Sequence, residues 1–78
     1  MAVAQPKKQA FLIKLGAHIA KLREREGITQ TELGFRCDKD KQSIQRLEKG
    51  RMNPSAYYLS EIAEGLGIDQ KELLNFKK

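Results

Sequence analysis

The stretch Thr29-Gln-Thr-Glu-Leu-Gly-Phe-Arg-Cys-Asp-Lys-Asp-Lys-Gln-Ser-Ile-Gln-Arg-Leu-Glu-Lys-Gly50 decides how this chain folds. Thr29-Gln-Thr-Glu32 has the form of a capping box. The Thr29 hydroxyl can accept the Glu32 backbone N–H, and the Glu32 carboxylate can reach back to the N–H of Thr29. Leu33 is the apolar anchor that follows, with Phe35 and Cys37 as further core candidates. The charged run Asp38-Lys-Asp-Lys41 interrupts the pattern, so the spacing predicts a short helix over 30–36. Asp38 sits where a turn is needed and tolerates the left-handed backbone better than most non-glycine residues. Asp40 is a good N-cap for a second short helix over 41–49, which Gly50 ends. That helix has two large apolar residues, Ile44 and Leu47, on one side. The opposite side carries Lys41, Gln42, Gln45, Arg46 and Lys49 with no acid among them, and Glu48 falls beside the apolar edge.

Outward from this centre, Phe11, Leu15, Ile19 and Leu22 recur at the spacing of one helix face, widened by Leu12 and Ala20. They predict a helix over 7–26, stopped by Gly27. Residues 1–6 read as a flexible arm, although Pro6 suits a first helical turn. On the other side, Asn53-Pro-Ser55 is a turn and a helix start. Tyr58, Leu59, Ile62, Ala63 and Leu66 continue with helical spacing, and Gly65 and Gly67 close that helix, with Gly67 expected just past its end. Asp69-Gln-Lys-Glu72 has the form of a second capping box, opening a last short helix with Leu73, Leu74 and Phe76. The expectation is a compact, all-α five-helix bundle over 7–78, without strands, repeats or linkers.

Composition narrows the function classes. The 78 residues carry a net charge of +5. Twelve of the fifteen Lys and Arg, but six of the ten Asp and Glu, fall within residues 1–53. That asymmetry points to a polyanion facing this part of the chain. Cys37 is the single cysteine, which excludes an internal disulfide; with His18 it leaves tetrahedral zinc short of ligands. His18 lies mid-helix with no triad partners in order, Cys37 reads as a buried inert thiol, and no glycine-rich loop precedes a helix. No enzyme activity, metal, cofactor or small-molecule ligand is expected. No apolar run exceeds four residues, so neither a membrane span nor a secretory leader is expected, and the lone thiol suits a reducing, cytoplasmic setting.

Two short helices joined by a tight turn follow the helix-turn-helix plan. Glutamine can pair with adenine N6/N7, arginine with guanine O6/N7, and lysine with guanine or phosphate, so the polar side of 41–49 has the chemistry to read DNA. The same residue types are also common on plainly solvated helix faces. Further residues distinguish the two readings. Leu22-Arg23, Gly27-Ile-Thr-Gln30, Glu32-Leu33, Ser43-Ile44, Arg46-Leu-Glu48, Gly50, Asn53-Pro-Ser55, Ile62-Ala63 and Leu66-Gly67 occur in order. Over about Phe11 to Leu74 this strongly resembles the phage repressor/Cro type helix-turn-helix domain, also called the xenobiotic-response-element type, with a lambda-repressor-like fold.

The resemblance implies that helix 41–49 lies in the DNA major groove, where Lys41, Gln42, Gln45 and Arg46 contact bases. It implies phosphate contacts from Gln30, Arg51 and Asn53, although Asn53 could instead only form the turn; Ser43, at the edge of the reading arc, would contact a phosphate or pack. Arg23 and Glu48 would form a structural ion pair. It further implies a transcriptional regulator of a bacterium, phage or mobile element, cytoplasmic and nucleoid-associated. Such a protein would act as a homodimer on a palindromic operator. The residues left over for a dimer interface are Ile68, Leu73, Leu74 and Phe76, with Phe11, Leu12 and Ile13 a second cluster; the alternative is that they simply cap the core. An antitoxin or adaptor module using the same fold for protein–protein contact is the alternative. One departure is Asp38 where the family often has glycine. It puts an acid near the DNA face, which Lys39 and Lys41 are expected to offset.

Overall fold

The computed structural model describes residues 5–77. It contains α1 (Pro6–Arg25), α2 (Gln30–Cys37), α3 (Lys41–Glu48) and α4 (Ala56–Leu66), followed by a 3₁₀ segment at Gln70–Leu74. The chain is all-helical, but its fifth element is not an α-helix. The Asp69 side chain caps it by accepting from Lys71 N–H at 3.0 Å, while Glu72 N–H donates to the Asp69 backbone carbonyl at 3.0 Å. Five residues are too few to repay helix nucleation, and the tighter 3₁₀ turn is the usual outcome for so short a piece. Most of the expected arm lies outside the described residues; Pro6 is already in the first turn of α1.

The other caps form as the chemistry requires, with one correction. Thr29 Oγ1 accepts from Glu32 N–H at 3.0 Å, Asp40 Oδ1 from Ser43 N–H at 2.7 Å, and Ser55 Oγ from Tyr58 N–H at 3.0 Å. The Glu32 carboxylate does not return to Thr29. It pairs one turn onward with Arg36 Nε at 3.1 Å, a contact available at i,i+4 spacing. Asp38 is the left-handed residue at the end of α2, with φ 59°.

Leu15 and Ile19 of α1, Leu33 of α2, Ile44 and Leu47 of α3, Ile62 and Leu66 of α4, and Leu73 form the buried core. Phe35, expected as a core candidate, is 82% exposed instead. The buried side of α2 is set by Leu33, Gly34 and Cys37, and a residue two positions after Leu33 points to roughly the opposite side of a helix.

Two glycines let α1 and the end of α3 meet. A Cβ on Gly16 would strike the carbonyl oxygens of Leu47 and Glu48. Gly50 adopts φ 72° and lies so near Ile13 that a Cβ would sit 2.6 Å from its Cα. The C-terminal segment returns to α1, where His18 Nε2 donates to the Glu72 carbonyl at 2.7 Å. Phe76 packs beside the rings of Phe11 and His18, at 5.6 and 5.4 Å between centroids. No helix among the described residues is long and apolar enough to cross a membrane.

Candidate nucleic-acid interface

Ile44 and Leu47 are fully inside, and this fixes the rotation of α3. The opposite side then faces solvent: Lys41, Gln42, Arg46 and Lys49 are exposed, and Gln45 and Ser43 are half-buried. Among the described residues, none of these cations has an ion-pair partner. Arg46 Nη2 lies 3.4 Å from Ser43 Oγ, one turn back on the same side. The one acid at the start of the helix, Asp40, is occupied by the cap, where the helix N-terminus stabilises its charge.

Behind this surface Arg23 and Glu48 form a two-pronged ion pair, Nε to Oε2 at 2.6 Å and Nη2 to Oε1 at 3.0 Å. Arg23 Nη1 also donates to the Ile28 carbonyl at 2.9 Å. The Glu48 hydrogen bond raises the Arg23 pKa above its ordinary value against an opposing, lowering effect of burial. Gln30 Nε2 joins the network by donating to Glu48 Oε1 at 2.9 Å. Glu48 thus ties α3 to both α1 and the start of α2. A terminal amide carries two N–H groups, so this bond leaves the other N–H of Gln30 for a further acceptor. An open groove of about 610 Å³ lies there, lined by Arg23, Glu24, Thr29, Gln30, Thr31 and Lys41 among others.

Arg51 and Asn53 are exposed in the loop from α3 to α4. Lys39 does not offset Asp38 at this surface. Its Nζ turns to α4, 2.6 Å from Glu61 Oε1 and 4.7 Å above the Tyr58 ring. That bond to Glu61 raises the Lys39 pKa. The reason is local: with Asp38 in the left-handed conformation, the chain turns and Lys39 passes beside α4. Cys37 is buried, donates to the Glu61 carbonyl at 3.3 Å, and burial pushes its thiol pKa up.

The proposed dimer set divides. Leu73 is completely buried in the chain's own core, so it has no surface to offer a partner. Ile68 and Phe76 pack partly against that core, and Leu74 is 51% exposed. Gly16 was not singled out by sequence reasoning, because a glycine inside a helical pattern signals close approach only once its neighbour is known.

A helix-turn-helix family profile matches residues 19–73, more than half of the chain. Over 60 residues the chain is 38% identical to the uncharacterized HTH-type transcriptional regulator y4dJ of Sinorhizobium fredii, covering 77% of this chain and 78% of that protein. It is 33% identical over 52 residues to control protein C.BamHI of Bacillus amyloliquefaciens, covering 67% and 64%. The fold is similar to the crystal structure of the restriction-modification controller protein C.AhdI from Aeromonas hydrophila. The TM-score there is 0.81 at 31% identity, with 83% of this chain and 94% of that chain covered. The clp gene regulator ClgR from C. glutamicum superposes with a TM-score of 0.78 at 26% identity, covering 82% and 83%. The chain belongs to the helix-turn-helix family, of the Cro/C1 type.

Proposed function

We propose that this helix-turn-helix transcriptional regulator binds duplex DNA sequence-specifically as a homodimer, with α3 in the major groove. The observation that carries the reading is the outer side of α3. Its cations lack ion-pair partners among the described residues, and of the acids that flank it Asp40 is held in a cap and Glu48 in the Arg23 network, while Asp38 stays exposed at the turn. Lys41, Gln42, Gln45 and Arg46 read base edges, as their donor and acceptor patterns allow. Gln30 gives its second N–H to a phosphate, and Ser43, Arg51 and Asn53 hold the backbone on either side. An α3 of eight residues spans only a few base pairs. Two copies on half-sites about 34–36 Å apart supply the remaining specificity. Occupancy of such a palindromic operator blocks or assists polymerase. The likeness to a control protein and to a restriction-modification controller protein supports a regulatory role.

The test is selection of bound duplexes from random DNA, followed by gel shifts of the selected duplex. A two-fold symmetric motif is expected, with affinity falling about 10³-fold or more between roughly 50 and 200 mM salt if six or more phosphates are contacted. No enriched motif and no shift at low salt would instead support the adaptor alternative, in which the fold serves a protein partner.

A further inference from the structure

A second groove of about 390 Å³ opens between the first turns of α1 and the loop that follows α3. Lys8 and Gln9 line it from α1, Arg51 and Asn53 from the loop, and Leu12 and Met52 complete the lining with Gly50. It contains two cations, two side-chain amides and no acid. Among the described residues, neither Lys8 nor Arg51 has an ion-pair partner. The walls are fixed relative to each other, because Gly50 lies directly against the backbone of Ile13. We propose that this cleft is a second backbone-phosphate site, in which Lys8 and Gln9 act together with Arg51 and Asn53. The proposal rests on the DNA-binding reading above and adds α1 to the surface that holds the duplex.

The geometry behind it is that of a strut. Gly16, near the middle of α1, touches the end of α3 at Leu47 and Glu48. From there α1 runs in one direction to Arg23 and the groove beside Gln30, and in the other to Lys8 and the second cleft. Gln9 and Arg23 are separated by about 20 Å along the helix axis at 1.5 Å per residue. The major groove is about 12 Å wide between its bordering backbones. A helix seated in it therefore needs phosphate holds on both flanks, and each groove supplies one. Lys8 and Gln9 lie upstream of the residues 19–73 that match the family profile.

The experiment uses the full chain and the duplex obtained by selection, titrated across salt concentrations. Lys8→Gln should weaken binding about five- to tenfold at roughly 0.1 M salt and reduce the salt slope by about 0.9 per bound subunit. The loss should be the same for selected and scrambled duplexes. Lys21→Gln is the control, since it removes an equal charge from the side of α1 where Phe76 docks; it should change affinity less than twofold. Lys8→Gln combined with Arg51→Gln should lose less than the sum of the two single variants. A duplex in which one flanking phosphate is a neutral methylphosphonate should bind wild type more weakly, and the loss should be smaller in Lys8→Gln, where Arg51 alone supplies the charge. Wild-type affinity and slope in Lys8→Gln would overturn the cleft while leaving the DNA reading intact. So would a loss confined to selected duplexes. Failure of the wild-type protein to bind any duplex would overturn both.

Discussion

Glu48 has 5% of its side chain exposed and Arg23 12%, and the pair accounts for how α1, α2 and α3 are held together. A buried ion pair adds little net stability by itself, but removing one partner leaves the other charge stranded at a cost of about 3–5 kcal/mol. Glu48→Ala should therefore lower the stability measured by urea unfolding by about that amount, because both Arg23 and Gln30 lose their acceptor. An unchanged urea midpoint would show that the network does not hold these elements. Cys37 and Lys39 both bear on stability at high pH. Burial raises the Cys37 pKa, and the Glu61 bond raises that of Lys39. A raised folded-state pKa means that the native state keeps a proton the unfolded state releases. Stability is thus fully present below the unfolded thiol value of about 8.5 and is lost as pH rises through the folded value. Lys39 acts with the same sign in a more alkaline window. Urea melts at increasing pH should show this decline, and Cys37→Ala should show less of it above about 8.5. An equal decline in that variant would place the cause elsewhere.

At the scale of the element, α3 is defined by what each of its sides does. Burial of Ile44 and Leu47 sets the rotation, the Asp40 cap sets the start, and the Arg23–Glu48 pair secures the end. In the proposed DNA complex Arg46 and Gln30 separate base reading from backbone holding. Arg46→Ala should cost about 1–3 kcal/mol in binding and relax preference at one base position, measured by repeating site selection with the variant. An identical selected motif would remove Arg46 from the reading set. Gln30→Ala should weaken all duplexes about equally and leave the salt slope unchanged, because an amide releases no counterion. A loss limited to particular bases would contradict a phosphate role. The elements show how far their sequence signals reach. The Thr29, Asp40 and Ser55 caps depend on atoms within three residues, and each forms as its local sequence indicates. The second half of the Thr29 box does not form, because Arg36 competes for the same carboxylate.

For the whole molecule, the proposed homodimer makes the exposed side of the 3₁₀ segment the surface to test. Leu74 is half exposed on the 3₁₀ segment, whereas Leu73 beside it is enclosed. Leu74→Asp should leave folding intact yet lower the mass measured by sedimentation from dimer to monomer and abolish cooperative operator binding. Leu73→Ala should instead destabilise the chain by about 2–5 kcal/mol, as deletion of a fully buried leucine does. A Leu74→Asp protein that remains dimeric would exclude this face. The sequence by itself determined the four α-helices, their caps, the left-handed residue at Asp38 and the rotation of α3. These follow from hydrophobic period and from hydrogen bonds between near neighbours, which are written in adjacent residues. Only the tertiary structure decided that Phe35 stays outside, that Lys39 turns to Glu61, that Leu73 belongs to the core, and that Lys8 faces Arg51 across a cleft. Each of those depends on which element passes beside which. That is settled by close approaches such as Gly16 on Leu47 and Glu48, between residues distant in sequence, where no local pattern records the partner.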